Sequence, residues 1–245
     1  MTEVHRELLV PDIHAPYQDQ RAVDLLLKVG DTFKFDGLTC LGDLLDNYAI
    51  SSFAKVKNRK LDWQWEIDSA VAIKHELEVI APTRTFCVGN HEFRTDKMFA
   101  TDIPQDNRRN VNDIETILEL KGWDVVPYRE AKRIGKLWVT HDVGYCGTNA
   151  VSQTLNAVQS NIAFGHTHRM GTMYAGDVLG GRYVGTMLGW LGDMAQIDYA
   201  YRLKVCKDWQ LGFGIAYIEP NGNAHVQAIP MVDYTCMVEG QLIRG

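Results

Sequence analysis

Residues 37–46 read Gly-Leu-Thr-Cys-Leu-Gly-Asp-Leu-Leu-Asp, a short apolar run that ends at a glycine and is followed by two spaced carboxylates. The apolar run predicts a buried β-strand from Gly37 to Leu41, and Gly42 predicts the turn that ends it. The same order, strand-like residues followed by polar ones, occurs once before this segment and three times after it. The first two thirds of the chain therefore contain five strand-like runs, each followed by polar residues.

The strand-like runs alternate with segments of helical periodicity. The other predicted strands are Leu8 to Val10, Thr85 to Val88, Lys136 to Thr140 and Asn161 to Phe164. The predicted helices are Arg21 to Val29, Ile67 to Ile80, Ile114 to Leu120 and Ala150 to Gln159. Alternation of this kind is typical of α/β proteins.

The final third of the chain is richer in strand-like residues. It contains a predicted β-hairpin, Gly212 to Glu219 and Ala224 to Met231, around the turn residues Pro220-Asn221-Gly222-Asn223. We expect these later strands to form a second sheet that packs against the first. No linker or internal repeat divides the sequence, which predicts a single domain over residues 1–245.

Composition excludes some classes of protein. No apolar run is long enough to cross a bilayer, and the N-terminal residues lack the pattern of a secretion signal or transit peptide, so we expect a cytoplasmic protein without membrane contact. Five cysteines without a C-x-x-C pair favour reduced thiols, so any metal should be held by nitrogen and oxygen ligands. The net charge of −6 disfavours a protein whose whole surface binds nucleic acid, while leaving room for a local basic patch.

Polar side chains follow each of the five predicted strands. In chain order they are Asp12 and His14, Asp43 and Asp46, Asn90 and His91, His141, and His166 and His168. Ligands of open α/β sheets gather at the carboxyl ends of strands, so we expect these five motifs to converge on one crevice. Carboxylate, amide oxygen and imidazole groups bind divalent cations. One such motif alone is more often a turn, but five in this order predict a metal site.

The five motifs resemble those of the calcineurin-like metallophosphoesterases, D-x-H, G-D-x-x-D, G-N-H-[DE], H and G-H-x-H, over the span from Asp12 to His168. The stretch from Trp209 to Met231 also looks like the end of small stand-alone bacterial and bacteriophage members. The resemblance implies a four-layer α/β/β/α sandwich of two packed mixed sheets, the calcineurin-like phosphoesterase fold.

The resemblance also assigns roles to the motif residues. It implies two divalent metal ions, with Asp43 bridging them. The first would be held by Asp12, His14, Asp43 and His168, and the second by Asp43, Asn90, His141 and His166. His91 looks like the general acid and Asp46 like the carboxylate that orients it. We expect Glu92 to be a first-turn helix carboxylate, with contact to the site as the alternative. Asp142, where the family commonly has glycine, is expected to alter substrate approach or cap its loop.

The predicted chemistry is hydrolysis of a phosphoester by a metal-bridging hydroxide. Manganese is the metal that we expect at the site, with zinc, iron, cobalt or nickel as alternatives. Phosphoprotein phosphatases of the family usually have arginine after the second aspartate of G-D-x-x-D, where this chain has Asn47. The difference favours a phosphodiesterase acting on DNA, RNA or a small or cyclic nucleotide. A phosphomonoesterase, including a protein phosphatase, and a noncatalytic metal-binding scaffold are the alternatives, and the oligomeric state is open.

The segment from Ser51 to Trp65 is irregular and is a candidate loop or lid. Its part from Lys55 to Trp65 interleaves cations with two tryptophans, a combination used to bind phosphate and stack on bases. Candidate substrate-binding residues are Lys57, Arg59, Trp63 and Arg94, with Arg108 and Arg109 as weaker candidates. The alternative is an exposed basic loop whose tryptophans pack on the core.

Overall fold

The computed structural model describes residues 3–57, 59–102, 113–197 and 206–245, so Arg108 and Arg109 lie outside the described residues. The helices are α1 (Gln20–Thr32), α2 (Trp63–Glu78), α3 (Phe93–Asp102), α4 (Ile114–Ile117) and α5 (Ala150–Val158). The strands are β1 (His5–Val10), β2 (Gly37–Cys40), β3 (Thr83–Cys87), β4 (Asp124–Val126), β5 (Lys132–Ile134), β6 (Leu137–Thr140), β7 (Asn161–Phe164), β8 (Met170–Gly176), β9 (Arg182–Leu188), β10 (Gly212–Ile218), β11 (Ala224–Pro230), β12 (Thr235–Val238) and β13 (Gln241–Arg244).

Two mixed sheets form the centre of the molecule. One has the strand order β11-β10-β1-β2-β3-β4 and the other the order β5-β6-β7-β9-β8. Leu9 and Leu41 from the first sheet meet Val139, Ala163 and Leu188 from the second in one buried apolar cluster. Helices α1 and α2 cover the outer face of the first sheet, and α5 covers that of the second. The predicted four-layer α/β/β/α sandwich is confirmed.

Helix α1 shows how the sequence sets this packing. Asp19 caps it, because its carboxylate accepts hydrogen bonds from the amides of Arg21 and Ala22 in the first turn, where amides have no partner one helical turn earlier. The helix buries its apolar residues on one face, and these are Ala22, Val23, Leu25, Leu26 and Val29. Each buried leucine or valine contributes about 1.5–3 kcal/mol through removal of apolar surface from water. The helix is therefore fixed on the first sheet beside the loop that follows β1.

The closing hairpin corrects one expectation. We predicted that the late strands form the second sheet. Strands β8 and β9 do, but β10 and β11 belong to the first sheet, where β10 pairs antiparallel with β1. The predicted strands at 136–140 and 161–164 are β6 and β7 of the second sheet. Strand β1 pairs with β2 on its other side, so the hairpin covers an edge whose backbone groups would otherwise lack partners.

Helix α2 begins at Trp63, four residues before the predicted start at Ile67. Asp62 caps it by accepting a hydrogen bond from the amide of Trp65 at 3.0 Å. Trp63 and Trp65 are therefore helical, and the irregular segment ends at Asp62. Among the described residues, no helix is both long and apolar enough to span a membrane.

Glu66, in the first turn of α2, is a buried carboxyl group. It is 0% exposed and accepts a hydrogen bond from the amide of Ala49 at 3.0 Å, while its Oε2 has no hydrogen-bond partner among the described residues. Burial raises the pKa of Glu66 from 4.5 to about 7. The folded protein therefore binds this proton more tightly than the unfolded chain does. The contribution of Glu66 to stability is full below pH 4.5 and is lost as the pH rises through about 7.

We expect Glu66→Gln to remove this pH dependence, because glutamine keeps the acceptor for Ala49 without a titrating proton. Between pH 4.5 and pH 8 the free energy of unfolding of the wild type should fall by about 3 kcal/mol relative to that of the variant. Urea unfolding at a series of pH values measures the difference. Glu76→Gln, an exposed change on the same helix, should follow the wild type. Parallel curves for wild type and Glu66→Gln would contradict the assignment.

Candidate metal centre

The five motifs leave the carboxyl ends of five parallel strands, three in the first sheet and two in the second. The loops after β1 and β2 are joined by a bridge between Ala15 and Leu45 and by the amides of Ile13 and His14, which donate to the carbonyl of Asp43. The loop after β7 is joined to the loop after β1 by the amide of His166, which donates to the carboxylate of Asp12 at 2.9 Å. Convergence of the motifs on one crevice is therefore observed across both sheets.

One group of ligand atoms contains Asp12, His14, Asp43 and His168, all buried. The Nε2 atoms of His14 and His168 face each other at 3.0 Å. His168 Nε2 lies 3.5 Å from Asp12 Oδ1, and His14 Nε2 lies 3.9 Å from Asp43 Oδ2. These are the four residues predicted to hold the first metal.

A second group contains Asp43, His141 and His166. His141 Nε2 lies 3.4 Å from Asp43 Oδ2 and 2.9 Å from Asn90 Oδ1, and its Nδ1 bonds to the carbonyl of Leu41 at 2.8 Å. The carbonyl can only accept, so Nδ1 carries a proton, and Nε2 is the ring nitrogen that a cation would bind in place of a proton. All seven predicted ligands are thus brought together, with Asp43 common to both groups.

The backbone at these residues is strained. Four of the predicted ligands have positive φ angles, 58° at His14, 51° at Asp43, 65° at His166 and 56° at His168. Left-handed backbone in residues other than glycine costs about 1–3 kcal/mol each and is concentrated at functional sites. The fold therefore holds these side chains in positions that the local sequence does not favour.

Glycine is required where two of the motifs approach the carboxylates. A Cβ atom on Gly89 would collide with Asp43 Oδ1, and one on Gly165 would collide with Asp12 Oδ2. The glycines of G-N-H and G-H-x-H are therefore explained by close approach of the backbone to the two buried carboxylates.

Opposite charges dominate the electrostatics of the site. Burial alone would raise the pKa of Asp43, but the imidazoles of His141, His91 and His14 hold it well below its usual range. Burial likewise opposes protonation of His141, but Asp43 raises the pKa of that imidazole to about 10. Burial lowers the pKa of His168 to about 4, so this ring is neutral at pH 7 and its lone pair is available.

This donor set fits two divalent cations. Asp12 and Asp43 are 0% and 1% exposed, and burial of two neighbouring carboxylates is costly unless cations balance them. The facing Nε2 atoms of His14 and His168 cannot both act as acceptors toward each other, whereas a cation between them would bind both lone pairs. Two overlapping groups that share one carboxylate match a binuclear site.

Glu92 contacts the site, which was the alternative to the expected position in the first turn of a helix. It precedes α3 rather than lying in its first turn, is fully buried, and accepts hydrogen bonds from the amides of Asp43 and Leu45, both at 2.9 Å, and of Gly89 at 3.0 Å. Burial and the charge of Asp43 raise its pKa to about 7. Glu92 therefore joins the loops after β2 and β3 and fixes the backbone of Asp43.

His91 lies beside Asp43 with its ring held by two other residues. Its Nδ1 donates to the backbone carbonyl of Asp46 at 2.6 Å, and its Nε2 accepts from the guanidinium of Arg94 at 2.9 Å. The Asp46 carboxylate is 2.9 Å from His14 Nδ1 and 3.5 Å from His91 Nδ1, so its closer partner is His14 rather than the predicted His91. Asp46 therefore orients a predicted ligand as well as the predicted general acid.

Solved structures with a similar fold include a Vps29 variant from Entamoeba histolytica, with 14% identity and a TM-score of 0.46 over 97% of this chain and 95% of that chain. They also include YfcE, a phosphoesterase from E. coli, with 13% identity and a TM-score of 0.45 over 91% of this chain and 98% of that chain. A third is the purple acid phosphatase PPD1 from yellow lupin seeds, with 13% identity and a TM-score of 0.42 over 92% of this chain and 53% of that chain. The likeness is one of fold. No protein-family model and no curated protein matches the chain. The motifs, the sandwich and the converging side chains support the resemblance to the calcineurin-like metallophosphoesterases.

Two predicted substrate residues make contacts within the protein. The Arg59 guanidinium lies over the rings of Tyr17 and Tyr48, 4.6 and 4.8 Å from their centroids, and donates to the carbonyl of Gln196. Trp63 Nε1 donates to Asn47 Oδ1 at 2.8 Å. These contacts match the alternative in which the aromatic residues of this segment pack on the protein. Lys57 is exposed, and its substrate role stays a prediction.

Asp142 also has a structural contact. It is buried, and its Oδ1 accepts a hydrogen bond from the amide of Gly144 at 2.6 Å. This contact is the loop cap that we considered as one of its two roles.

Two tryptophans hold the ring of His168. Trp190 stacks on it at 4.8 Å between centroids with a 12° interplanar angle, and Trp209 meets it edge-on at 4.2 Å. The Nδ1 of His168 is buried and has no hydrogen-bond partner among the described residues. Histidine ligands are usually oriented by a hydrogen bond at the second ring nitrogen. For His168, packing against Trp190 and Trp209 orients the ring instead.

We therefore expect Trp209→Ala to weaken manganese binding by about tenfold, the lower end of the effect of losing a group that orients a ligand. Trp209→Phe should retain most of the affinity because a ring remains against His168. Isothermal titration of the metal-free protein measures both variants. Trp138→Ala, which changes a half-buried tryptophan of β6 in the cluster under α5, is the control. Equal affinities for Trp209→Ala and wild type would show that the packing does not orient His168.

Proposed function

We propose that the protein is a metal-dependent phosphoesterase and that its preferred substrates are phosphodiesters, nucleic acid or a small or cyclic nucleotide. The observation that carries the proposal is the pair of ligand groups sharing Asp43, with His91 beside them. Two divalent cations bound there would act as Lewis acids on a phosphoryl oxygen and on a water nucleophile. The residues that would hold them are those of the two groups together with Asn90.

In this proposal the chain itself supplies the proton for the leaving group. The carboxylates of Asp43 and Asp46 outweigh the effect of burial and raise the pKa of His91, which favours the imidazolium needed for proton donation. His91 Nε2 faces Arg94 in the structure. A substrate phosphate would attract the guanidinium of Arg94 away from the ring, which would leave Nε2 free to carry the proton.

The preference for diesters is supported by position 47. Asn47 is fully buried and bonded to Trp63, so it presents neither a charge nor a free donor to a phosphate. The guanidinium of Arg94, bonded to the Asp46 carbonyl at 2.8 Å, is the cation beside His91. A single guanidinium suits the single charge of a diester better than the double charge of a monoester.

The proposal is tested by manganese-dependent hydrolysis of bis-p-nitrophenyl phosphate and p-nitrophenyl phosphate. Wild type should turn over the diester faster, and His166→Ala, which removes a ligand of the second group, gives the background rate. Faster monoester turnover would instead support a phosphomonoesterase. No turnover of either compound by protein with two bound metal ions would support the noncatalytic scaffold.

Arg94 allows a sharper prediction. We expect Arg94→Ala to raise KM for the diester at least tenfold, because a charge-assisted hydrogen bond to phosphate contributes about 1.5–3 kcal/mol. Arg94→Lys should recover part of the loss, since it keeps the charge but not the two-pronged geometry. Steady-state kinetics measure the change, and Arg84→Ala, a change in β3 away from the crevice, is the control. An unchanged KM in Arg94→Ala would contradict a role in phosphate binding.

A further inference from the structure

Asn47 makes three side-chain hydrogen bonds in the interior. Its Nδ2 donates to the backbone carbonyl of His91 at 2.8 Å and to Thr95 Oγ1 at 3.0 Å, and its Oδ1 accepts from Trp63 Nε1 at 2.8 Å. The residue is 0% exposed and has a φ of 56°. Both amide donors are used, and asparagine is among the residues that tolerate left-handed backbone.

These bonds complete the support of His91. The amide of His91 donates to Asp43 Oδ1 at 2.9 Å, and its ring is held by the Asp46 carbonyl and Arg94. The carbonyl of His91 is held by Asn47. Residues 88–92 lie between β3 and α3 and form no strand, so side chains fix their position. Among the described contacts, the Asn47 side chain links the carbonyl of His91 to the indole of Trp63, the first residue of α2.

We propose that Asn47 is a positioning residue for His91 and that Trp63 in turn holds Asn47. The role of His91 as proton donor rests on the proposed function. Displacement of a catalytic group by about 1 Å can lower a rate about a hundredfold. Asn47 would thus fix the distance between the His91 ring and a leaving oxygen, although its three described side-chain hydrogen bonds go to none of the predicted metal ligands.

Near-isosteric variants separate positioning from general stability. Asn47→Asp keeps an acceptor for Trp63 but places an oxygen opposite the His91 carbonyl, which cannot donate. Trp63→Phe removes only the indole donor. Thr95→Val removes the other acceptor of Asn47 and leaves the bond to His91 in place, so it is the matched control. Asn47→Gly, compatible with positive φ, removes the whole side chain without adding a buried charge.

The kinetic test uses aryl methyl phosphates graded by the acidity of the phenol. General acid catalysis matters most for poor leaving groups. For Asn47→Asp and Asn47→Gly we expect kcat to fall at least about tenfold on the poorest leaving group and less than about threefold on p-nitrophenol esters. Trp63→Phe should give a smaller loss with the same trend, and Thr95→Val should follow the wild type. The bound manganese should be the same in all five proteins.

A double variant makes the test stricter. If Asn47 acts through His91, Asn47→Asp combined with His91→Gln should be no slower than His91→Gln alone. Additive losses, or equal losses on all leaving groups, would overturn the positioning role. Unchanged rates in both Asn47 variants would overturn it as well.

A measurement without turnover keeps this proposal separate from the proposed function. The ring resonances of His91 in the metal-free protein, observed by ¹⁵N NMR, should shift in Asn47→Asp and Asn47→Gly but not in Thr95→Val. An inactive wild type with two bound metal ions would refute the proposed function alone. Unshifted His91 resonances in the Asn47 variants would refute the positioning role alone.

Discussion

Asp43→Asn is expected to remove stable binding of the metal pair and to lower phosphoester hydrolysis by about a thousandfold or more, about 4 kcal/mol of transition-state stabilisation. Asp43 is the one residue common to both ligand groups. Its carboxylate lies 3.4 Å from His141, 3.8 Å from His91 and 3.9 Å from His14. Asp46 contacts two of these imidazoles, His14 and His91, but among the described residues no ligand group joins it to His141.

The change removes a charge while preserving the size of the side chain. Two cations about 3.5–4 Å apart repel each other, and a shared carboxylate offsets much of that repulsion. Asparagine supplies one neutral oxygen in its place. The amide of Asp43 would still bond to Glu92, so the loop after β2 should keep its conformation.

Metal content by mass spectrometry after gel filtration, and thermal unfolding with and without manganese, measure this prediction. Manganese should raise the Tm of the wild type, because it binds the folded state alone, and should leave that of Asp43→Asn nearly unchanged. Asp24→Asn, an exposed change on α1, should behave as the wild type. Two equivalents of bound metal with full turnover in Asp43→Asn would exclude a bridging role.

Much of the candidate site could be predicted from the sequence because its residues follow strands directly. Asp12 and His14 come within four residues of β1, and His141 immediately follows β6. Local order therefore places these side chains at strand ends, and the parallel arrangement of the strands brings the ends together. The prediction needed no knowledge of which sheet each strand joins.

What the sequence could not predict depends on contacts between distant segments. The assignment of β10 to the first sheet follows from its pairing with β1, some 200 residues earlier. The contact of Trp209 with His168 likewise joins separate segments that share no motif. The position of Glu92 after a glycine-containing turn was compatible with contact to the site. The same pattern is typical of a helix N-terminus, so the sequence did not distinguish the two.

The role of Asn47 could be predicted only in part from the sequence. The sequence identified the position as a difference from the family pattern, but only the structure places its side chain between Trp63, His91 and Thr95. A polar residue next to a motif can face the substrate or the interior, and Asn47, with a φ of 56°, is buried in the interior. That angle is set by the turn after Asp46 and has no signature in residue type beyond the tolerance of asparagine for it.

His91→Gln is expected to lower hydrolysis of esters with poor leaving groups by about 10²–10⁴-fold, the usual contribution of general acid catalysis. The loss on bis-p-nitrophenyl phosphate should be less than about tenfold, because nitrophenolate departs readily without a proton. Glutamine retains a side chain able to bond to the Asp46 carbonyl, so the loop should keep its place. The metal content should stay that of the wild type.

The dependence of rate on leaving group identifies the role of His91 more surely than the size of any single loss. If His91 donates a proton, the plot of log kcat against leaving-group pKa should be steeper for His91→Gln than for wild type, because the leaving oxygen then carries more charge in the transition state. His225→Gln, an exposed histidine on β11, is the matched control. Equal slopes for His91→Gln and wild type, with equal metal content, would mean that His91 supports the site without transferring the proton. In that case the negative charge that develops on the leaving oxygen would have to be stabilised by the cations held around Asp43.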